Sequence, residues 1–249
     1  MKKFVSIALI TLLVLSVFAG CGQKSMTAQK GKLLMATNAE FPPYEYHEGD
    51  AIVGIDAEIA DLIAKKLGLE LEIQDVEFDS IIPGVQSGKY DMGMAGMTVS
   101  EERLKSINFT DSYALGVQVV IVKEGSDIKS IDDLKGKKIG VQQATTGHIY
   151  AESDYGTDAV TLYQNGALAV EGLKSGKVDC VIIDNEPAKS YVKANTGLKI
   201  LETEYANENY AICIAKENDA LLKAVNKALK ELIDDGSVKK IVEKYIPAE

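Results

Sequence analysis

Arg103 and Asp184 are the two residues around which this sequence can build a charged binding site. Arg103 lies in the stretch Asp91–Tyr113, DMGMAGMTVSEERLKSINFTDSY. That stretch opens as a short apolar strand, Met92 to Ala95, and breaks at Gly96 and Thr98. Ser100 stands where a helix N-cap belongs, with Glu101 and Glu102 in the first turn. Arg103 is then the third helical residue, close enough to the helix start to reach back over the strand end. A guanidinium grips a carboxylate through two parallel hydrogen bonds, and small residues let backbone approach a ligand. Together they suit a small carboxylate at the C-terminal edge of a sheet. A surface arginine paired with Glu101, Glu102 or Asp111 is the competing reading.

Asp184 enters through an internal echo. Gln86-Ser87-Gly88-Lys89-Tyr90-Asp91 precedes the strand that ends at Gly96, and Lys174-Ser175-Gly176-Lys177-Val178-Asp179 precedes, at equal offset, the strand that ends at Asp184. Two lobes built alike would set Gly96 and Asp184 at corresponding strand ends, with Arg103 and Asp184 on opposite walls of a cleft. A fixed fork of donors facing a charged acceptor is the minimum for an α-amino acid zwitterion. Gln142 to Gly147, QQATTG, adds hydroxyls and amides at a helix start, which favours an anion. Phe41, Tyr44 and Phe78 either wall a side-chain pocket or cap the core.

The rest of the chain alternates strand and helix, the pattern of an α/β fold. Leu33–Thr37 reads as a buried strand, followed by a proline-stiffened loop, Glu40 to Tyr44. Asp56 is placed to cap a helix whose buried face carries Ile59, Leu62, Ile63 and Leu67 and which Gly68 ends. A strand Leu69–Asp75 and a helix around Ile81 to Gln86 follow. The apolar run Leu115–Val122 is long for one strand and suits a crossover between lobes. Further strands are expected at 138–141, 160–163 and 180–183, with helices at 147–153, 165–175 and 187–194. Tyr210–Ala215 reads as the return crossover, and helices 219–235 and 237–245 close the chain.

Composition excludes several classes. The formal charge is −10 over 249 residues and no long basic run exists, which argues against nucleic acid. Two histidines, His47 and His148, and no metal-ligand spacing leave no expectation of a metal or cofactor. Cys180 and Cys213 sit in separate apolar strings and read as buried free thiols. At the N-terminus, Lys2 and Lys3 precede an apolar run to Ala19, then Gly20 and Cys21. This resembles a bacterial lipoprotein signal, with residues 1–20 removed and Cys21 lipidated. Residues 21–31 are then a polar tether.

The pieces ATNAEFPPYEY, VGIDAEIADLIAKKLG, FDSIIPGVQSGKYDMGMAGMTVSEERLKSINFTDSY, GVQQATTG and GKVDCVIIDNEPA carry a wider resemblance. In content and order they resemble the polar amino acid family of extracytoplasmic solute-binding proteins that serve ABC importers. The resemblance implies a two-lobed α/β fold of the type II periplasmic-binding kind. Each lobe would be a mixed sheet flanked by helices, joined by two crossover strands. Residues 32–113 and 210–249 would form the first lobe and 114–209 the second, with hinges near 114–118 and 206–210. It further implies that Arg103, with the amides of Thr98 and Thr146, holds an α-carboxylate. Asp184, the Gly96 carbonyl and the Thr98 hydroxyl would hold the α-ammonium. Asn38, Phe41, Phe78, Ala95, Gln142 and Thr145 would line the side-chain pocket.

An acid often stands at the Asn38 position in basic-residue binders of the family, so the expected ligand is a polar L-amino acid, neutral or cationic. Glu40 is a possible substitute acid, or a solvent-exposed loop residue. The expected partners are that ligand, an ABC permease and, through Cys21, a membrane; a monomer is expected. A cyclohexadienyl dehydratase-like enzyme with Glu186 as general acid is the alternative on the same fold.

Overall fold

A computed structural model describes residues 26–247. The signal sequence and the lipidation site expected at Cys21 lie outside the described residues.

The first half of the chain runs β1 (Lys32–Thr37), β2 (Glu40–Phe41), β3 (Glu45–Glu48), β4 (Ala51–Val53), α1 (Ile55–Leu67), β5 (Glu70–Asp75), α2 (Phe78–Gln86), β6 (Met92–Gly93), α3 (Glu101–Leu104) and β7 (Asn108–Phe109). A second set follows: β8 (Ala114–Lys123), β9 (Ile139–Gln142), α4 (Thr146–Tyr155), β10 (Val160–Tyr163), α5 (Gly166–Lys174), β11 (Cys180–Asp184), α6 (Asn185–Ala194), β12 (Leu198–Ile200) and β13 (Ala206–Tyr210). The chain closes with β14 (Cys213–Ile214), α7 (Asp219–Asp234) and α8 (Ser237–Tyr245).

Two mixed sheets result. The first has the order β5-β1-β6-β14-β7, with β14 antiparallel to both neighbours. The second has the order β10-β9-β11-β8-β12, with β13 also paired to β8. Leu33, Met35, Ile59, Ile63 and Leu229 fill the space between the first sheet and α1, α7 and α8. The second sheet is buried on both faces. Along β8, Val119 and Ile121 enter one apolar cluster while Val120 and Val122 enter another. That is why Val119–Val122 reads as an unbroken apolar run: successive side chains point to opposite faces and each face is covered.

Three expectations need correcting. Asp56 does not cap α1. Gly54 holds the N-cap position at φ 126, where a Cβ would overlap the Tyr44 carbonyl. The amides of Ile55 and Asp56 donate instead to the carbonyls of Pro43 and Tyr44, which leaves the Asp56 carboxylate free for other work. The return crossover is Ala206–Tyr210, paired with β8; Cys213–Ile214 already belongs to the first sheet. The segment after Thr37, read as a loop, contains the small antiparallel sheet β2-β3-β4, whose strands are too short to show a period. Cys180 and Cys213 are buried free thiols, as expected.

Candidate ligand-binding site

The C-terminal ends of β1, β6, β9 and β11 meet at one cavity between the two sheets. It is lined by Asn38, Phe41, Phe78, Ala95, Gly96, Thr98 and Arg103 from one side and Gln142, Thr145, Thr146 and Asp184 from the other, with Glu45 added. The eleven residues assigned to the α-groups and the side-chain pocket therefore border the same space. Tyr44 does not: it is 3 % exposed in the core, edge-on to Tyr210. Glu40 stays at the exposed rim, and Glu186 is ion-paired to Lys189 outside the cavity.

On the first wall the chain turns sharply after β6. Gly96 has φ 50, and a Cβ there would approach Phe41 Cε1 to 2.7 Å, so glycine is required twice over. Its amide donates to Asp56 Oδ2 at 2.9 Å, and the Tyr113 hydroxyl donates to the same oxygen at 2.8 Å. Asp56 thus anchors the turn from beneath. Glu45 is buried beside Asp56, so each carboxyl makes the other's charge more costly. Burial raises Glu45 well above the carboxylate range, helped by the Asp56 charge. Burial lifts Asp56 to about 6, against its bonds from Gly96, Glu45 and Tyr113.

Ser100 caps α3, its hydroxyl accepting from the Arg103 amide at 3.2 Å. The Arg103 side chain, 7 % exposed, runs back over Phe78, whose ring centre is 5.4 Å from the guanidinium carbon. Nη1 donates to the Thr98 carbonyl at 2.7 Å and Nη2 to the Ala144 carbonyl at 3.0 Å. Among the described residues no carboxylate pairs with it. A buried guanidinium without an acid is unusual, because desolvation of the charge goes uncompensated. Burial indeed lowers its pKa, with Glu208 the strongest charge acting in the other direction.

On the second wall, Thr145 caps α4 by accepting from the His148 amide at 3.3 Å, and its hydroxyl donates to the Gln142 carbonyl at 2.8 Å. Thr146 opens the helix, in the turn whose amides have no partner within it. Asp184 ends β11 at the start of α6, yet its side chain caps nothing there. It accepts from Gln118 Nε2 at 2.8 Å and from the Tyr210 hydroxyl. Burial first, then the charge of Glu208, raises Asp184 to about 7. Like Arg103, it is buried without a counter-ion among the described residues.

The walls stand close. Gln142 Nε2 donates to Asn38 Oδ1 at 2.9 Å, Gln143 Nε2 to Asp79 Oδ2 at 2.9 Å, and the Tyr191 hydroxyl to the Glu40 carbonyl at 2.7 Å. The free interior is ≈ 20 Å³, about what one water molecule needs. An amino-acid-sized molecule must enter with the walls apart.

Sequence reasoning missed Glu45, Asp56 in its buried role, and Gln118 and Glu208. Glu45 follows an aromatic loop with no pattern to mark it. Glu208 did leave a signal: it is two residues from Tyr210 in a strand, so it shares the face of a buried tyrosine.

Residues 33–248 match the family of bacterial extracellular solute-binding proteins, family 3. The chain belongs to that family. It is 34% identical over 259 residues to the arginine-binding extracellular protein ArtP of Bacillus subtilis, covering 100% of both chains. Among solved structures it resembles the arginine-, lysine-, histidine-binding protein ArtJ of Geobacillus stearothermophilus, with 37% identity and a TM-score of 0.83 over 88% of this chain and 96% of that one. An ancestral arginine-binding protein bound to glutamine is 42% identical with a TM-score of 0.84, over 88% of this chain and 100% of that one. These likenesses set the chain among binding proteins, not with the dehydratases.

Proposed function

We propose that this protein captures a polar L-amino acid, neutral or cationic, outside the cytoplasm and delivers it to an ABC importer. One observation carries the reading: a buried guanidinium without an acid faces a buried carboxylate without a cation across one cavity. An α-amino acid supplies both missing charges at once. Arg103, with the Thr98 and Thr146 amides, takes the α-carboxylate. Asp184, the Gly96 carbonyl and the Thr98 hydroxyl take the α-ammonium. Asn38, Phe41, Phe78, Ala95, Gln142 and Thr145 surround the side chain.

Names of relatives support the same range, since they include arginine, histidine and glutamine binders. The cavity lining adds no second cation to Arg103, so aspartate and glutamate should bind at least ~100-fold more weakly, equivalent to ~2.7 kcal/mol. In this reading residues 32–113 and 210–249 form one lobe and 114–209 the other. The lobes close about hinges near 114–118 and 206–210. Cys21 carries the lipid anchor, and the working form is a monomer.

The test is calorimetry of purified protein against the common amino acids and their des-amino counterparts. Binding of a polar amino acid, with little or none of its des-amino counterpart, is expected. Tight glutamate binding, or no binding by any amino acid, overturns the proposal.

A further inference from the structure

Glu208 has no role in the site as described, yet it is 3 % exposed and lies directly behind it. It sits on β13, one of the two paired strands that join the sheets. Its Oε2 accepts from Thr98 Oγ1 at 3.0 Å and from Gln118 Nε2 at 3.0 Å. The same Gln118 nitrogen donates to Asp184 Oδ2 at 2.8 Å. Glu208 therefore touches the first wall through Thr98 and the second through the amide it shares with Asp184. Among the described residues no lysine or arginine pairs with it.

A hydroxyl has one proton to give and two lone pairs to offer, whereas a carboxylate only accepts. With its proton committed to Glu208, the Thr98 oxygen can only accept from whatever else approaches. Thr146 Oγ1, 3.5 Å away, can approach it only as a donor. Gln118 uses its nitrogen to hold two acids, which keeps Asp184 as an acceptor as well. The Thr98 oxygen and the Asp184 carboxylate are thereby both left as acceptors. An ammonium, which only donates and has three protons to share, is the matching partner; a carboxylate, which only accepts, is not.

We propose that Glu208 is a positioning residue for the ligand ammonium, acting by fixing Thr98 as an acceptor and steadying Asp184 through Gln118. The inference rests on reading the cleft as an amino acid site. It adds a residue outside the cavity lining that sets which end of the ligand that corner accepts.

The test compares Glu208→Met, which removes the acceptor at similar bulk, with Glu208→Gln, which keeps one acceptor oxygen while losing the charge and turning the other oxygen into an NH2 donor. L-Arginine and L-glutamine are titrated against their des-amino counterparts, δ-guanidinovalerate and glutaramate. In Glu208→Met the preference for the amino acid should drop roughly tenfold or more. Glu208→Gln should recover most of that preference at lower absolute affinity. Thr98→Val should give the same loss as Glu208→Met, and the double variant little further loss, because one acts through the other.

Equal weakening of both ligand classes, or Glu208→Gln behaving like Glu208→Met, overturns the proposal. A ligand-free readout separates it from the reading beneath it. The Thr98 hydroxyl proton should exchange slowly by NMR in wild type and Glu208→Gln, and rapidly in Glu208→Met. If the proton is protected but no amino acid binds, the functional reading fails while the Glu208–Thr98 contact stands. If the proton exchanges rapidly in wild type, Glu208 does not hold Thr98 and the inference fails.

Discussion

The two lobes share one turn and put opposite chemistry beyond it. In the first, Gly88 has φ 74, the Ser87 hydroxyl donates to the Gly84 carbonyl at 3.0 Å, and the Lys89 amide donates to the same carbonyl at 3.0 Å. In the second, Gly176 has φ 77, the Ser175 hydroxyl donates to the Gly172 carbonyl at 3.1 Å, and the Lys177 amide does so at 2.9 Å. An aspartate then latches the neighbouring strand in each. Asp91 accepts from the Leu34 amide at 2.8 Å, and Asp179 from the Lys138 amide at 2.8 Å. Past this point the copies part. In the first lobe the ladder lasts only for Met92–Gly93, and the chain turns at Gly96 toward Arg103. In the second, β11 runs on to Asp184 itself. The shared turn is scaffold, and the few residues after each strand decide which charge faces the cleft.

Removing either charge tests the contrast most severely. Arg103→Ala should weaken amino acid binding by ~2–5 kcal/mol while circular dichroism shows the fold intact. Calorimetric affinity within a factor of three of wild type would show that the carboxylate does not meet this wall.

Asp184→Asn should hurt amino acids far more than des-amino analogues. It should also change the response to pH. The folded pKa of Asp184, about 7, lies above its unfolded value near 3.8, so the native state binds the proton more tightly. Its contribution to stability is full below ~3.8 and is lost as pH rises through about 7. Asp56, raised to about 6, acts in the same sense. Between pH ~4 and ~7 the ligand-free wild type should therefore lose stability relative to Asp184→Asn as pH rises. Ligand binding needs the carboxylate, so affinity should fall as pH drops below about 7, with protons released on binding. A thermal-melt difference between wild type and variant that is flat with pH would sink this assignment.

The latches offer a subtler separation. Asp91 is buried and also accepts from the Ala28 amide at 2.6 Å, whereas Asp179 is exposed and its side chain holds a single amide. By urea titration, Asp91→Ala should cost ~1–3 kcal/mol and Asp179→Ala ~0.5–1.5 kcal/mol. Equal costs would mean that the extra bond to the N-terminal segment adds nothing. Smallest and most alike should be Gly88→Ala and Gly176→Ala. Both positions are left-handed; a Cβ would meet nothing at Gly88 and only Lys123 Nζ at 3.8 Å at Gly176, so each change should cost about 1 kcal/mol. A large difference between them would mean that the turns are not equivalent.

Much of this was legible before any coordinates. The helices expected at 165–175 and 237–245 and the strand expected at 160–163 stand within a residue of those bounds. The paired Ser-Gly-Lys turns pointed to Gly96 and Asp184 as equivalent ends, and both border the cavity. What escaped was polar and buried. Asp56 looked like a cap because sequence shows that an acid begins a helix but not which amides are already taken by a distant loop. Glu45 lies in a four-residue strand, too short for alternation to declare a face. Glu208 stands between Asn207 and Asn209 in a stretch that reads as surface, and its spacing from Tyr210 becomes a clue to its face once pairing with β8 makes the stretch a strand.

The pairing of β8 with β13 also governs how the halves can move. The chain crosses between the lobes twice, and the crossings lie side by side, with Ala114 opposite Tyr210 and the ladder continuing to Gln118 opposite Ala206. Two tethers clamped together act like adjacent knuckles on one pin. In the closing motion proposed above, they would resist sliding of one half past the other and leave swing about the line through them as the soft motion. Such a joint has in effect one coordinate, so walls that part on opening would come back to the same register. Arg103 and Asp184 would then face each other again at every cycle, without the closed pose having to be searched for.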